Sequence, residues 1–338
     1  MRTRWAALTA ATATILVATA CGGDDGSGGD GASGNEPGYY LSLGDSLTVG
    51  VQPDDNGTLQ ETRDGYTDVL YRNLYDTDST LQHERMGCGG EDTTSFLRGG
   101  NGQCEDEYGG ASQMEAAEDF LDEHGDRVEL VTLTIGGNNF TGCVDDLDIE
   151  EGDGPTVDVD CVEDGLERIG TELPEITERL SAAAGEDTRI VAMTYYNPFL
   201  AALLLEDEEE AEDEEGSGDE ESPEGKATDE EPPEGDGEVE GELPGDEDVV
   251  EYATGVLEEM NESMRETYAA DGIDVADVAD LFDSSDFDVP ENSETGMPAN
   301  VQAICDWTWM CDTAVGPDIH TNKAGAQEIA GAFEDQLR

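Results

Sequence analysis

The chain of 338 residues carries 85 acidic and 14 basic side chains, which gives a formal net charge of −71. This charge disfavours binding to nucleic acid or to anionic membrane surfaces, and the length suits one large domain or two small ones. The acidity is distributed along the chain, because the residues outside 206–248 still hold 61 acids against 13 bases. Self-repulsion on this scale opposes folding at low ionic strength, so we hypothesise adaptation to high salt.

Residues 1–20 have the pattern of a secretory signal peptide, in which two arginines precede an apolar run that ends in small residues. No stop-transfer pattern follows, so we predict export and no transmembrane helix. Cys21 resembles the lipidated cysteine of a bacterial lipobox, although Ala18 stands where leucine is usual. Lipidation of Cys21 would anchor the protein at the cell surface, and secretion after nearby cleavage is the alternative. Residues 21–37, rich in Gly, Ser and Asp, are typical of a flexible tether.

Strand-like runs alternate with helical patterns from residue 38 to the end of the chain. We predict strands at 39–44, 81–86, 128–136, 189–196 and 273–282. We predict helices at 64–76, 112–124, 161–185, 248–270 and 322–337. The run 128–136 is continuously apolar and rich in β-branched residues, which is typical of a strand buried on both faces. The alternation predicts a three-layer α/β/α domain with a five-stranded parallel sheet.

The acidic segment 206–248 falls between the fourth predicted strand and the next helix. It holds 24 acids and one lysine, so it cannot form a packed core, and we predict a disordered insertion within the single domain 38–338. A solvated spacer is the simplest interpretation of this segment, and weak cation binding is the alternative.

Seven cysteines are present, and six remain if Cys21 carries lipid. They are Cys88, Cys104, Cys143, Cys161, Cys305 and Cys311. An even number of cysteines in an exported protein implies disulfide bonds. Fifteen connectivities are possible, of which local pairing (88 with 104, 143 with 161, 305 with 311) is the simplest. Zinc is disfavoured because the sequence has no Cys-x-x-Cys pair and only three histidines, and we expect no metal site.

Two polar residues, Ser46 and Asn138, lie just past the ends of predicted strands, where functional groups gather in parallel sheets. A serine nucleophile needs a base and donors for an oxyanion. Of the three histidines, His83 lies within a predicted strand and His124 ends a helix. His320 lies in a loop before the last helix, so it is the candidate base.

Four segments occur in the order of the sequence blocks of the SGNH (GDSL) hydrolases. The sequence GDSL at 44–47 resembles the first block, and 86–96 resembles the second. Residues 135–140 resemble the third block, and 318–325 resemble the last. The sequences CDWTWMC and YYNPF further resemble a secreted actinobacterial branch of lipases and esterases. The resemblance implies a flavodoxin-like α/β/α fold and covers most of the chain outside the acidic segment.

The resemblance also implies roles for individual residues. Ser46 would be the nucleophile, and His320 would take its proton and return it to the leaving alcohol. The N–H groups of Ser46 and Gly90 and the side-chain amide of Asn138 would form the oxyanion hole. Asp45 would be structural.

Two positions depart from the family's pattern. Asn139 stands where the third block has aspartate, which affects support of that loop. Pro317 stands where the usual acidic partner of the histidine lies, three residues before it. Asp318 is the first candidate for that partner, and a main-chain carbonyl within 305–311 and Asp312 are the alternatives.

The resemblance predicts a serine esterase or lipase that acts on carboxylic esters without a metal or organic cofactor. An O-acetyl esterase of cell-surface glycans or peptidoglycan is the alternative within the same chemistry. A noncatalytic acidic surface lipoprotein that binds cations is the alternative from another class. We expect an exported monomer that binds a lipid or small acyl ester, contacts the membrane only through a lipid on Cys21, and binds no nucleic acid.

Overall fold

The structure is a computed structural model that describes residues 36–102, 104, 107–145, 154–197, 237–240, 249–291, 293, 295–312, 314–315 and 317–338. The predictions about the signal peptide, Cys21, most of the tether and most of the acidic segment lie outside the described residues. Residues Glu36–Arg338 group into one compact unit. Among the described helices, none combines the length and the apolar character needed to cross a membrane.

Ten strands are described. They are β1 (Tyr39–Gly44), β2 (Val51–Pro53), β3 (Leu59–Glu61), β4 (Gln82–Arg85), β5 (Val128–Thr134), β6 (Val144–Asp145), β7 (Gly154–Asp158), β8 (Arg189–Met193), β9 (Gly237–Glu240) and β10 (Asp274–Ala276). Five of them form the main sheet, in the order β10-β8-β5-β1-β4, and every neighbouring pair is parallel. The predicted five-stranded parallel sheet is therefore confirmed.

Eight α-helices are described. They are α1 (Tyr66–Thr77), α2 (Thr93–Arg98), α3 (Gln113–His124), α4 (Val159–Ala183), α5 (Val249–Ala270), α6 (Val278–Leu281), α7 (Ala299–Trp307) and α8 (Lys323–Gln336). The helices form two groups. In the first, α4 is contacted by α2, α3 and α5, and in the second, α8 is contacted by α1, α6 and α7. With the sheet these two groups give the predicted three-layer α/β/α fold.

The core follows from the apolar pattern of the central strands. Six of the seven residues of β5 are buried, as expected of a strand covered on both faces. In α4, apolar residues at helical spacing, such as Ile169, Leu173, Ile176 and Leu180, are fully buried. Burial of these side chains is the main favourable contribution to folding.

The fifth predicted strand is shorter than expected, because a helix begins inside the predicted range. β10 ends at Ala276, and the side chain of Asp277 accepts a hydrogen bond from the Asp280 N–H, which caps α6. The carboxylate of Asp277 also binds the Arg265 guanidinium at 2.8 Å. The helices α2 and α7 were also not predicted from the sequence. α2 is only six residues long and begins with a capping box made by Asp92 and Ser95.

Two small sheets lie outside the main sheet. β2 and β3 form an antiparallel hairpin, and β7 pairs with β6 on one side and β9 on the other. β9 is the only part of the acidic segment 206–248 that the structure describes, so the predicted disorder of the rest lies outside the described residues.

The six cysteines that follow Cys21 form the three local pairs. Cys88 pairs with Cys104, Cys143 with Cys161, and Cys305 with Cys311, with Cα–Cα distances of 6.0, 5.3 and 5.0 Å. The structure therefore contains the simplest of the fifteen connectivities. Cross-links of this kind stabilise a fold mainly by constraining the unfolded chain.

Candidate active site

The first block lies at the end of β1, where the chain turns sharply. Gly44 has φ = +129°, and a side chain there would collide with the carbonyl oxygen of Thr134 on β5. The same carbonyl accepts the Asp45 N–H at 2.9 Å. β1 and β5 thus stay in close contact up to the residue before Ser46. Only glycine fits this approach.

Hydrogen bonds hold both sides of Ser46. The Asp45 side chain accepts the Leu47 N–H at 3.0 Å, and the Ser46 carbonyl accepts the Val51 N–H at 2.9 Å. The turn is therefore fixed by its own side chain and by the start of the β2–β3 hairpin. This places the serine at the carboxyl end of a central parallel strand, where sites in such sheets are found.

Asp45 is a buried carboxyl group, with 2% of its surface exposed. Burial raises its pKa to about 6, although hydrogen bonds from Tyr195 and Leu47 and the charge of His320 each lower that pKa. The Tyr195 hydroxyl donates to Asp45 Oδ2 at 2.5 Å. Asp45 is thus bound by Tyr195 and is also influenced by the charge of His320.

His320 is held by a loop that is tied to the end of α7. The Trp309 N–H donates to the His320 carbonyl at 3.0 Å, and Thr308 pairs with Thr321 in an isolated antiparallel bridge. The Asn322 side chain accepts the N–H groups of the next helix at 2.8 and 3.0 Å, so α8 starts just after the histidine. His320 is buried, with 7% of its surface exposed.

Asp318 is the carboxylate that contacts the histidine. Its Oδ1 lies 2.8 Å from His320 Nδ1 and accepts the His320 N–H at 3.0 Å. A carboxylate on Nδ1 favours the proton there and leaves Nε2 to act as a base. The alternatives engage other groups: Asp312 accepts from the N–H of Ala314 at 2.8 Å, and the Trp309 carbonyl accepts the Asp318 N–H at 3.3 Å.

Gly90 and Asn138 lie together beyond β4 and β5. Gly90 has φ = +75°, in the left-handed region that favours glycine. The Asn138 side chain donates to the Glu91 carbonyl at 3.0 Å, so the amide is bound to the residue that follows Gly90. The Cys88 N–H donates to the Gly44 carbonyl at 2.8 Å and joins this loop to the end of β1. Ser46, Gly90 and Asn138 therefore follow three neighbouring strands at one edge of the sheet.

Asn139 supports the same loop. Its Oδ1 accepts the Thr93 N–H at 3.1 Å, and its Nδ2 donates to Thr93 Oγ1 at 2.8 Å. Thr93 Oγ1 in turn donates to Glu172 at 2.6 Å. An amide can accept one of these bonds and donate the other, whereas an ionised aspartate could only accept. Asparagine is thus accommodated at position 139, because Thr93 offers it both a donor and an acceptor.

The other two histidines lie elsewhere. His83, on β4, stacks on Tyr40 and bonds Ser42 Oγ at 2.9 Å. Burial and the charge of a nearby arginine lower its pKa to about 3, so this ring is neutral at pH 7. His124 ends α3 and packs against the ring of Phe120. His83 therefore lies within a strand and His124 at the end of a helix, as predicted from the sequence.

Sequence reasoning missed three residues that support the site. Gln113 Nε2 donates to the Gly44 carbonyl at 3.0 Å and to Glu91 at 3.3 Å, which joins the first and second blocks. Nothing in the helical pattern of α3 distinguishes Gln113. Tyr195 and Tyr196 follow β8, and the rule that functional groups gather at strand ends could have identified them.

One group of described residues has the composition of a metal site, but its chemistry does not fit one. Cys88, Glu91 and Cys104 lie within ligand distance of one another. The two sulfur atoms are joined in a disulfide and are not thiolates, and the thiolate is the form that binds metal.

The buried Asp45 predicts a pH dependence of stability. Its pKa is about 6 in the folded state against 3.8 for an unperturbed aspartate, so between these values the native state holds a proton that the unfolded state has lost. Stability from this group is present below pH 4 and lost as the pH rises through 6. The free energy of unfolding of Asp45→Asn, measured with denaturant, should rise by about 3 kcal/mol relative to that of wild type between pH 4 and 7.

Asp54→Asn is a control of opposite sign, because N–H groups of Asn56 and Thr58 lower the pKa of exposed Asp54. The stability of Asp54→Asn relative to wild type should fall only as the pH rises towards about 4, and it should stay nearly constant above about pH 5, where Asp54 is ionised in both states. A flat difference for Asp45→Asn would contradict the prediction.

Comparisons with known proteins place this arrangement in a family. The profile of the GDSL-like Lipase/Acylhydrolase family matches residues 42–328. No curated protein sequence matches the chain. Similar solved structures include an extracellular lipase from Streptomyces rimosus (14% identity, 88% of this chain and 99% of that chain covered, TM-score 0.46). They also include the lipase Lip_vut3 from a goat rumen metagenome (16% identity, 88% and 97% covered, TM-score 0.47) and phospholipase A1 from Streptomyces albidoflavus NA297 (15% identity, 89% and 99% covered, TM-score 0.42). The family profile covers most of the chain, including all four blocks of the site, so this protein belongs to the GDSL-like lipase/acylhydrolase family.

Proposed function

We propose that the protein hydrolyses carboxylic esters, with Ser46 as nucleophile and His320 as general base. The observation that carries this proposal is the His320–Asp318 pair, 2.8 Å apart and largely buried. The charge of His320 also lowers the pKa of Asp45, the residue before Ser46. A base oriented by a carboxylate is the arrangement that activates a serine hydroxyl.

The proposed reaction proceeds through an acyl-enzyme. Ser46 Oγ attacks the ester carbonyl while His320 Nε2 takes its proton, and the same proton goes to the departing alcohol as the C–O bond breaks. A water molecule then attacks the acyl group and gives a proton to His320, which returns this proton to Ser46 Oγ as the Oγ–acyl bond breaks and the carboxylic acid leaves. Asp318 keeps the proton of the neutral ring on Nδ1 and stabilises the charged ring that forms at each step.

The negative charge on the carbonyl oxygen would be met by three donors. The N–H groups of Ser46 and Gly90 donate to no acceptor among the described residues. Asn138 uses one N–H for the Glu91 carbonyl, and its amide has a second. These donors are fixed by the ends of three neighbouring strands, so they need no reorganisation during the reaction.

The test is ester turnover by a matched set of variants. We expect Ser46→Ala to lower kcat on p-nitrophenyl esters by about 10⁴-fold or more, and Asn138→Ala by about 10²–10³-fold. Ser181→Ala is the control, because the Ser181 hydroxyl has no hydrogen-bond partner among the described residues, and it should keep full activity. The panel should run from acetate to palmitate and include an acetylated glycan, which distinguishes a lipase or esterase from an O-acetyl esterase.

Two results would contradict the proposal. One is a folded wild type that hydrolyses none of these substrates, which would favour a noncatalytic cation-binding lipoprotein. The other is Ser46→Ala activity equal to that of the Ser181→Ala control.

We also propose that the chain is exported and that a lipid on Cys21 anchors it, as the N-terminal pattern predicts. Wild type should then be found in the membrane fraction, and its mature N-terminal peptide should carry an acyl mass. Cys21→Ala should be recovered in the soluble fraction. An unmodified N-terminus in a soluble wild type would instead support secretion without an anchor.

The net charge of −71 supports the proposal of adaptation to high salt. Screening of self-repulsion should raise the thermal unfolding midpoint as NaCl increases. Sucrose at equal osmolality is the control, because it stabilises by exclusion from the surface without screening charge. A midpoint that stays constant or falls in NaCl would show that repulsion does not limit stability.

A further inference from the structure

Two consecutive tyrosines after β8 bind the two halves of the proposed active site. The Tyr195 hydroxyl donates to Asp45 at 2.5 Å, next to the nucleophile. The Tyr196 hydroxyl donates to the Ile319 carbonyl at 2.8 Å, next to the histidine. We propose that Tyr195 and Tyr196 are positioning residues, which hold the Ser46 turn and the His320 loop in a fixed relation. This inference rests on the proposed function.

Tyr195 is fixed in place independently of Asp45. Its N–H donates to Asn261 Oδ1 at 2.8 Å, and Asn261 Nδ2 donates to its carbonyl at 2.9 Å, so both backbone groups are bound to one side chain of α5. Its ring lies against Gly137, where an added Cβ would come within 2.8 Å of it. The phenol of Tyr195 therefore reaches Asp45 from a fixed position.

Asp45 transmits this position to the nucleophile. Its carboxylate accepts two donors, the Tyr195 hydroxyl and the Leu47 N–H. The second of these bonds joins the two neighbours of Ser46 on the chain, Asp45 and Leu47. Because Asp45 is buried, a lost donor cannot readily be replaced by water. Removal of the Tyr195 hydroxyl should therefore loosen the turn at the residue where alignment matters most.

Tyr196 reaches the other half of the site. Its ring stacks on Phe282, with centroids 4.4 Å apart, and Phe282 packs edge-on against Trp307 at 5.0 Å. Burial raises the pKa of Tyr196 well above its usual value, and the charges of Asp45 and Asp318 raise it further. Its hydroxyl thus lies in range of the carboxylates on both sides of the site.

The two contacts form one continuous path. Asp45 is bound to Tyr195, a single peptide bond leads to Tyr196, and Tyr196 is bound to the carbonyl of Ile319. The nucleophile and the base come from opposite ends of the sequence, so their relative position depends on links of this kind. Misplacement of a catalytic group by about 1 Å can reduce the rate about 100-fold.

The competing interpretation is that both rings simply fill the core, and phenylalanine substitutions separate the two. Tyr195→Phe and Tyr196→Phe keep the ring and remove only the hydroxyl. Tyr268→Phe is the matched control, because Tyr268 is fully buried and its hydroxyl has no hydrogen-bond partner among the described residues. All three are measured with wild type under conditions where circular dichroism shows each to be folded.

Positioning predicts a specific kinetic pattern. Tyr195→Phe and Tyr196→Phe should each lower kcat on a p-nitrophenyl ester about tenfold and change KM less than twofold, because neither hydroxyl is proposed to contact substrate. The rate of covalent reaction of Ser46 with a fluorophosphonate probe should fall by a similar factor. If the two contacts act as one path, the double variant should lose less than the product of the single losses.

Three outcomes can be told apart. If wild type is active and reacts with the probe, but both Phe variants keep kcat within twofold as Tyr268→Phe does, the inference is wrong and the proposed function stands. A loss that appears in KM alone would also overturn the inference. A folded wild type that neither hydrolyses esters nor reacts with the probe would overturn the proposed function and this inference with it.

Discussion

The contact between Gly44 and the Thr134 carbonyl is the constraint on which the rest of the site depends. It lets β1 and β5 remain paired up to the residue before Asp45, so the turn that follows starts from a rigid pair of strands. The third-block loop with Asn138 begins just beyond Thr134, and the second-block loop is joined to the Gly44 carbonyl. Relative positions at the site are therefore set by backbone hydrogen bonds of the sheet.

A buried polar network extends this order beyond the sheet. Gln113 joins Gly44 to Glu91, and Asn139 joins its loop to Thr93. Burying such groups would be costly without partners, and with partners the network specifies one arrangement. The raised pKa of Asp45 is the electrostatic cost of placing a carboxylate in this environment, and the hydrogen bonds that fix the turn partly offset it.

The sequence predicted the parts of the fold that depend on local pattern. The five strands of the sheet and the five longer helices follow from apolar periodicity, while α2 and α7 are too short to show it. The four blocks indicated Ser46, Gly90, Asn138 and His320. Gln113 could not be predicted, because it acts through partners distant in the sequence and no local pattern reports such contacts. Tyr195 lies just after a strand and could have been a candidate by position, but its partner Asp45 could not be read from the sequence.

The connection of the histidine loop to the last helix also sets an order of events. Asn322 caps α8 and donates to the Asp306 and Thr308 carbonyls, and α8 packs on α1, where Phe333 stacks on Tyr66. The proposed nucleophile lies in the turn after β1, and the proposed base lies just before α8. A chain synthesised from its N-terminus would therefore hold the proposed nucleophile without the proposed base until residues 318–336 have been made and α8 has packed onto α1.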